Sequence, residues 1–160
     1  IDRLLHLRNY PRSFLIYPDK RLKRIAEPID FKKTSRAKIV SMVRKMGTSL
    51  SAASYGGKLG IAAPQIGINK RIMIVQGVVM VNPEWHPTRA PGEFFDESCY
   101  SVPNRLFKVK RARYGWAKWK SIDGIAREFK LTGMESVIFQ HELDHLDGKC
   151  CADVGEEIKE

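Results

Sequence analysis

The sequence predicts an α+β fold, with antiparallel or mixed β-sheets surrounding a central helix that carries the motif HExxH. Three observations lead there. In residues 35–53, Ile39, Met42, Val43, Met46 and Leu50 recur at three- and four-residue intervals, the period of one helix face. Short β-branched and aromatic runs then follow, separated by glycine-containing turns. The last element returns to helical spacing and contains Gln140-His141-Glu142-Leu143-Asp144-His145.

Taken in order, residues 1–13 read as an N-terminal extension to a single domain over residues 14–160. The first helix is expected to break at Gly56-Gly57. Residues 60–67 form an extended segment that bends at Pro64 and Gly67. Residues 71–75 and 78–82 are strands around Gln76-Gly77, a tight hairpin. Residues 84–96, rich in Pro and Gly, are expected to be irregular. Strands follow at about residues 105–113 and 115–122, Asp123-Gly124 signals a type I′ turn, and a last strand runs to Leu131. Thr132-Gly133-Met134-Glu135 has the form of a capping box, and Gly148 stands where a helix stop is expected. Met134, Val137, Ile138, His141 and His145 share one stripe, expected to be the buried face.

A chain of 160 residues suffices for one domain with a core that needs no disulfide. No apolar run approaches a membrane span, and the opening residues lack the apolar core of a secretory signal. The protein is therefore expected in the cytoplasm or an organelle's matrix or stroma, away from membranes. The three cysteines read as reduced, adjacent Cys150 and Cys151 being poor disulfide partners. The net charge is +10, and no acid occurs between Glu97 and Asp123. Arg105, Lys108, Lys110, Arg111, Arg113, Lys118 and Lys120 fall in that stretch, mostly alternating with apolar residues. This pattern reads first as solvated strand faces and second as weak attraction to ribosomal phosphates.

The chemistry is carried by HExxH. Histidines four apart on a helix sit about 40° apart around the axis, one turn along it. Both imidazoles then reach one metal ion, while the Glu beside the first faces the water on that ion. Such a match also arises by chance on amphipathic helices. Intact capping signals and two core-side histidines weigh against chance here. A catalytic site needs a third protein ligand, for which Cys151, Glu156 or Glu157, and the upstream Cys99 are candidates.

Three segments, in order, give the chain a resemblance to the peptide deformylases, which remove the N-formyl group from new polypeptides. Gly60-Ile61-Ala62-Ala63-Pro64-Gln65 follows G-x-G-[LI]-A-A-x-Q, with Leu59 before it and Lys58 at the first Gly. Glu97-Ser98-Cys99-Tyr100-Ser101-Val102-Pro103 follows E-G-C-L-S-x-P, with Ser98 for Gly and Tyr100 for Leu. Residues 140–147 follow Q-H-E-x-D-H-L. Tyr17-Pro18-Asp19-Lys20-Arg21-Leu22 and Val81-Asn82-Pro83-Glu84 extend the likeness over about residues 15–150. Arg105 stands about one position from the family's usual arginine, and the chain stops sooner after HExxH than family members do.

The resemblance implies a deformylase fold and one divalent metal held by Cys99, His141 and His145. That metal is natively Fe(II), with Zn(II), Ni(II) or Co(II) as substitutes. Glu142 acts as base and then acid, while the amide of Gln65 and the backbone N–H of Tyr100 hold the oxyanion. Leu59, Gly60, Glu97, Val137 and Ile138 are implied at the substrate, an N-formylmethionyl peptide, and the protein acts as a monomer. Gly60 would admit an extended peptide close to the backbone. The bland alternatives are a turn glycine at Gly60, core packing for Val137 and Ile138, and either a supporting acceptor or a surface acid at Asp144.

Two other functions compete. An HExxH endopeptidase with Cys151 as third ligand explains Gly148 but not the segments around Gln65 and Cys99. A basic RNA- or ribosome-binding module with a structural metal leaves Glu142 without purpose, since structural zinc takes four protein ligands.

Overall fold

The computed structural model describes residues 14–53 and 60–159. The N-terminal extension, Leu59 and the Gly56-Gly57 break lie outside the described residues. Helix α1 (Arg36–Ala53) begins where Ser35 Oγ accepts from Lys38 N at 3.2 Å, and it buries Ile39, Met42, Met46 and Leu50. Strand β1 (Gly60–Ala62) leads into a 3₁₀ turn, Ala63–Ile66, which Gly67 ends at φ +84°. Strands β2 (Ile72–Val75) and β3 (Val78–Pro87) follow. Their turn places Gln76 and Gly77 at φ +47° and +82°, the left-handed pair of a tight type I′ hairpin.

Strands β4 (Glu93–Cys99), β5 (Val102–Arg111), β6 (Tyr114–Lys120) and β7 (Ala126–Thr132) precede helix α2 (Gly133–Leu146). A helical turn, Cys151–Val154, and a short β8 (Glu156–Glu157) close the chain. The strands form two antiparallel sheets, one ordered β1-β2-β3-β6-β7 and the other β4-β5-β8.

Strand β2 explains the layering. Ile72 and Ile74 join Ile39, Met46 and Leu50 on the α1 side, while Met73 and Val75 join Phe139 and Leu146 on the α2 side. Alternate residues point to opposite faces, so a strand covered by a helix on each side reads as the unbroken run Ile72-Met73-Ile74-Val75. The smaller sheet has its own cluster of Cys99, Val102, Phe107, Val109, Cys150 and Cys151, and meets α2 through Glu97 and Arg111. The expected sheets around an HExxH helix are present.

Four local expectations change. Residues 84–96 are not irregular throughout, because β3 runs to Pro87 and β4 starts at Glu93. Pro83, which has no N–H to offer a ladder, falls where the β3–β6 register shifts between Val81 and Glu84. Asn82, at φ +51° in the same irregularity, accepts from Ile29 N at 2.8 Å and donates to Ile29 O at 3.0 Å. The Asp123-Gly124 turn is not type I′: Gly124 is left-handed at φ +80°, but Asp123 is not among the positive-φ residues. Ser121 Oγ organises that loop instead, accepting from Asp123 N and Ile125 N.

The Thr132 capping box does not form, since Thr132 makes no side-chain cap bond. The helix start is tied to the β5–β6 connection, where Ser136 Oγ donates to backbone oxygens of Ala112 and Arg113. Met134, expected on the buried stripe, is 60% exposed on this first turn, ahead of the point where the sheets cover the helix. Gly148 does end the region, at φ +76°, and a Cβ there would lie 2.5 Å from Lys23 O.

Candidate active site

Helix α2 presents His141, Glu142 and His145 toward the end of β4, which supplies Cys99. Gln140 holds the helix in place by pairing with Ala112 in both directions, its Oε1 accepting from Ala112 N at 3.0 Å and its Nε2 donating to Ala112 O at 2.7 Å. At the other end Arg71 donates to Leu146 O and to Asp147 Oδ1, satisfying a terminal carbonyl. Ligand atoms of Cys99, His141 and His145 all lie within 4.8 Å of one another. Cys99 Sγ is 3.3 Å from His145 Nε2, and His141 Nε2 is 3.8 Å from Glu142 Oε1. Among the described residues, this is the group that could hold a metal ion, and Cys151 is not in it.

A divalent ion fits these donors. A thiolate and two imidazoles are ordinary zinc-type ligands, and donor atoms around such a tetrahedral ion lie about 3.6 Å apart. Glu142 Oε2 and His145 Nδ1 are buried polar atoms without a hydrogen-bond partner among the described residues, as in a site built to bind something. Burial, with the charges of His141 and Arg111, holds the pKa of His145 well below its ordinary value, so its ring is neutral and able to ligate. Without an ion, contact with the Cys151 thiol and burial both push the Cys99 thiol upward. A cation at the site would reverse that by favouring the thiolate.

The support behind the ligands is ionic. His141 Nδ1 lies 2.8 Å from Glu97 Oε1, so an Nδ1–H donated to the carboxylate frees Nε2 for a metal. Arg111 donates to both oxygens of Glu97 at 2.8 Å and to Asp144. Burial favours a neutral Glu97, but the bonds from Arg111 and His141 outweigh it and keep its pKa below the usual value. Glu97, expected at the substrate, thus has both oxygens turned to the arginine and the histidine. Asp144 is settled as an acceptor for Arg111.

Glu142, only 2% exposed, has its pKa raised by burial to about 7, against the lowering influence of His141 and Arg111. Gly60 lies against it, and a Cβ there would sit 2.7 Å from Glu142 Cγ. Gln65 Nε2 is 3.6 Å from Cys99 Sγ, while its Oε1 accepts from Ala62 N at 2.9 Å. Tyr100 follows Cys99 and packs its ring 5.3 Å from that of Phe14. Val137 is buried; Ile138, half-buried, packs on the core shared with Phe139 and Leu146.

Sequence reasoning missed Arg111 and Gln140. Arg111 was grouped with the solvated basic residues, yet it is 5% exposed. The signal was its phase, since Phe107, Val109 and Arg111 alternate onto the inner face of β5. Lys108 and Lys110 on the other face are exposed, as the alternation implies.

Comparison with known proteins agrees with this geometry. The family model for polypeptide deformylase matches residues 11–160. A peptide deformylase of Acidobacterium capsulatum is 35% identical over 150 residues, covering 86% of this chain and 82% of its own. The actinonin-bound class I type b peptide deformylase of Acinetobacter baumannii superposes with a TM-score of 0.80 at 30% identity, over 89% of this chain and 96% of that one. The same enzyme bound to Met-Ala-Ser gives 0.79 at 28% identity, over 88% and 96%.

Proposed function

Because the chain belongs to the polypeptide deformylase family, we propose that it hydrolyses the N-formyl group from the formylmethionine of nascent polypeptides and releases formate. The observation that carries this is Glu142, buried against the Cys99, His141 and His145 donors. When bound there, a divalent ion supplies Lewis acidity toward water and the formyl oxygen. Fe(II) is the native ion in this reading, with Zn(II), Ni(II) or Co(II) as substitutes. Glu142 takes the proton of the attacking water and returns it to the leaving amine. The Gln65 amide and the backbone N–H of Tyr100 donate to the oxyanion.

Among the described residues strand β1 is an edge of the five-stranded sheet, a place for an extended peptide to add as a further strand beside Gly60. Val137 and Ile138, one turn before His141, form the wall for the methionine side chain. The protein works as a cytoplasmic monomer, and none of the described helices is long and apolar enough to cross a membrane. Exposed Lys108, Lys110, Lys118 and Lys120 lend it weak, salt-sensitive attraction to the ribosome. The deciding experiment is formate release from a formyl-Met tripeptide by the Fe(II)- or Ni(II)-loaded chain. Turnover is expected without any partner and with little response to moderate salt. No turnover on tripeptides, with activity only on ribosome-bound chains, would overturn the reading.

A further inference from the structure

The two faces of the five-stranded sheet are covered unequally. Helix α2 packs against β1, β2, β3, β6 and β7, whereas α1 packs mainly against β1 and β2. Alternation fixes what the uncovered part shows. Ala117 and Trp119 of β6 point toward α2 and join the core with Phe139. Trp116, Lys118 and Lys120 point the other way and are exposed. Trp116 is 45% exposed on an interior strand, and no aromatic ring pairs with it among the described residues. Register sets its neighbours. His86 of β3 and Lys130 of β7 lie opposite Trp116, while Glu84 and Glu128 lie opposite Lys118. Glu84 turns to His86, Oε2 to Nε2 at 3.5 Å. Among the described residues Lys118, Lys120 and Lys130 form no ion pair. Lys120 Nζ lies 5.8 Å over the ring of Phe31, in a turn that also exposes Lys32 and Lys33.

We propose that this open face of β3, β6 and β7 binds single-stranded RNA, with Trp116 stacking a base and Lys118, Lys120 and Lys130 meeting phosphates. Alternate residues of a strand recur about every 6.8 Å, a spacing that suits one extended nucleotide per step. An aromatic face accepts any base, and cations beside it hold the backbone. A duplex is a poorer fit, because its bases are already stacked on one another. An acidic peptide would use the lysines alone and leave Trp116 in water.

The sheet separates this surface from Glu142, which stands on the α2 side, so RNA there leaves the peptide site open. The surface deepens the ribosome reading and rests on it for the sign of the charge, whereas hydrolysis plays no part in it. The test follows the fluorescence anisotropy of a labelled uridine octamer titrated with the intact chain over a range of salt. An unlabelled RNA duplex of equal charge and polyglutamate serve as competitors. Far-UV circular dichroism checks that each variant keeps the fold.

Wild-type affinity is expected to fall steeply as salt rises. Trp116→Ala should weaken binding by about fivefold or more with the salt slope unchanged, because it removes a stacking partner and no charge. Trp116→Phe should restore most of that loss. Lys130→Ala should weaken binding and lower the salt slope by about 0.7, the share of one phosphate contact on a single strand. Lys110→Ala, on the smaller sheet, should change neither. Both competitors should displace the octamer poorly. Binding indifferent to Trp116, or displacement by duplex or polyglutamate as effective as by the octamer itself, would overturn this surface and leave the ribosome attraction standing. No binding at low salt would overturn both. If Trp116→Ala does not fold, Trp116→Phe and the salt slope of Lys130→Ala decide.

Discussion

Replacing Gly60 by alanine places one methyl group against the proposed general base. The ideal Cβ lies 2.7 Å from Glu142 Cγ, 2.9 Å from Oε2 and 3.0 Å from Cδ. Carbon atoms rest about 3.5–4.0 Å apart, so one side must yield by about 1 Å. Gly60 is held in register opposite Val75, and its φ is not in the left-handed region, so alanine suits the local backbone. The carboxylate of Glu142 is what moves. A displacement of about 1 Å at a reacting group costs about 10²-fold, or about 2.7 kcal/mol of transition-state stabilisation. Overpacking should also lower stability by about 1–3 kcal/mol.

The assay is kcat and KM on a formyl-Met tripeptide beside metal content of the same preparation. The fall should lie in kcat, with one ion retained because no ligand is touched. In a double-mutant cycle with Glu142→Ala, the Gly60 methyl should add no further loss, since the group it displaces is gone. Unchanged kcat in Gly60→Ala, or a full additional loss in the double variant, would refute this placement of Glu142.

Four further outcomes are expected. Cys99→Ala should lose metal and activity, while Cys151→Ala should keep both near wild type; metal analysis of the two decides, and the reverse pattern would remove Cys99 from the site. Glu142→Ala should retain one ion per chain and lose about 10²–10⁴-fold in turnover, checked by metal content and kcat. In the metal-free protein the Glu142 pKa is raised from 4.5 to about 7, so its ionisation opposes folding. Stability is then lost as pH rises from the lower value through the upper one, and Glu142→Gln should be the more stable above pH 7, by up to about 3 kcal/mol. The gain should vanish below the lower value, as urea denaturation across pH would reveal. Arg111→Leu leaves the Glu97 and Asp144 carboxylates without their cation and should destabilise the fold by about 3–5 kcal/mol, read from the same denaturation midpoint.

Much of this protein was legible because local patterns and tertiary demands agree. The stripe of Ile39, Met42, Met46 and Leu50 is what a helix needs to cover a sheet, and α1 buries those residues. Gln76-Gly77 satisfies a left-handed pair wherever it occurs, so the β2–β3 turn needed no partner to specify it. HExxH likewise sets two imidazoles one turn apart by helix geometry alone.

The proline-rich stretch, the helix cap and the buried ion network were decided elsewhere. Pro83 and Pro87 look like strand breakers until β6 lies alongside and a register shift accommodates the first of them. Thr132 has the chemistry of a cap, yet Ser136 reaches backbone oxygens on another connection, a contact that exists only once the sheet has folded. Glu97 is 44 residues from His141 and 14 from Arg111 along the chain. The alternation of β5 turns Arg111 inward, but a buried arginine is tolerable only when carboxylates meet it there, and nothing local names those partners. The sequence alone determined which residue types stand ready for metal and proton chemistry, because helix period and motif order are local. Only the tertiary structure decided which charges go inside to hold them, because desolvation is compensated by partners that folding brings together.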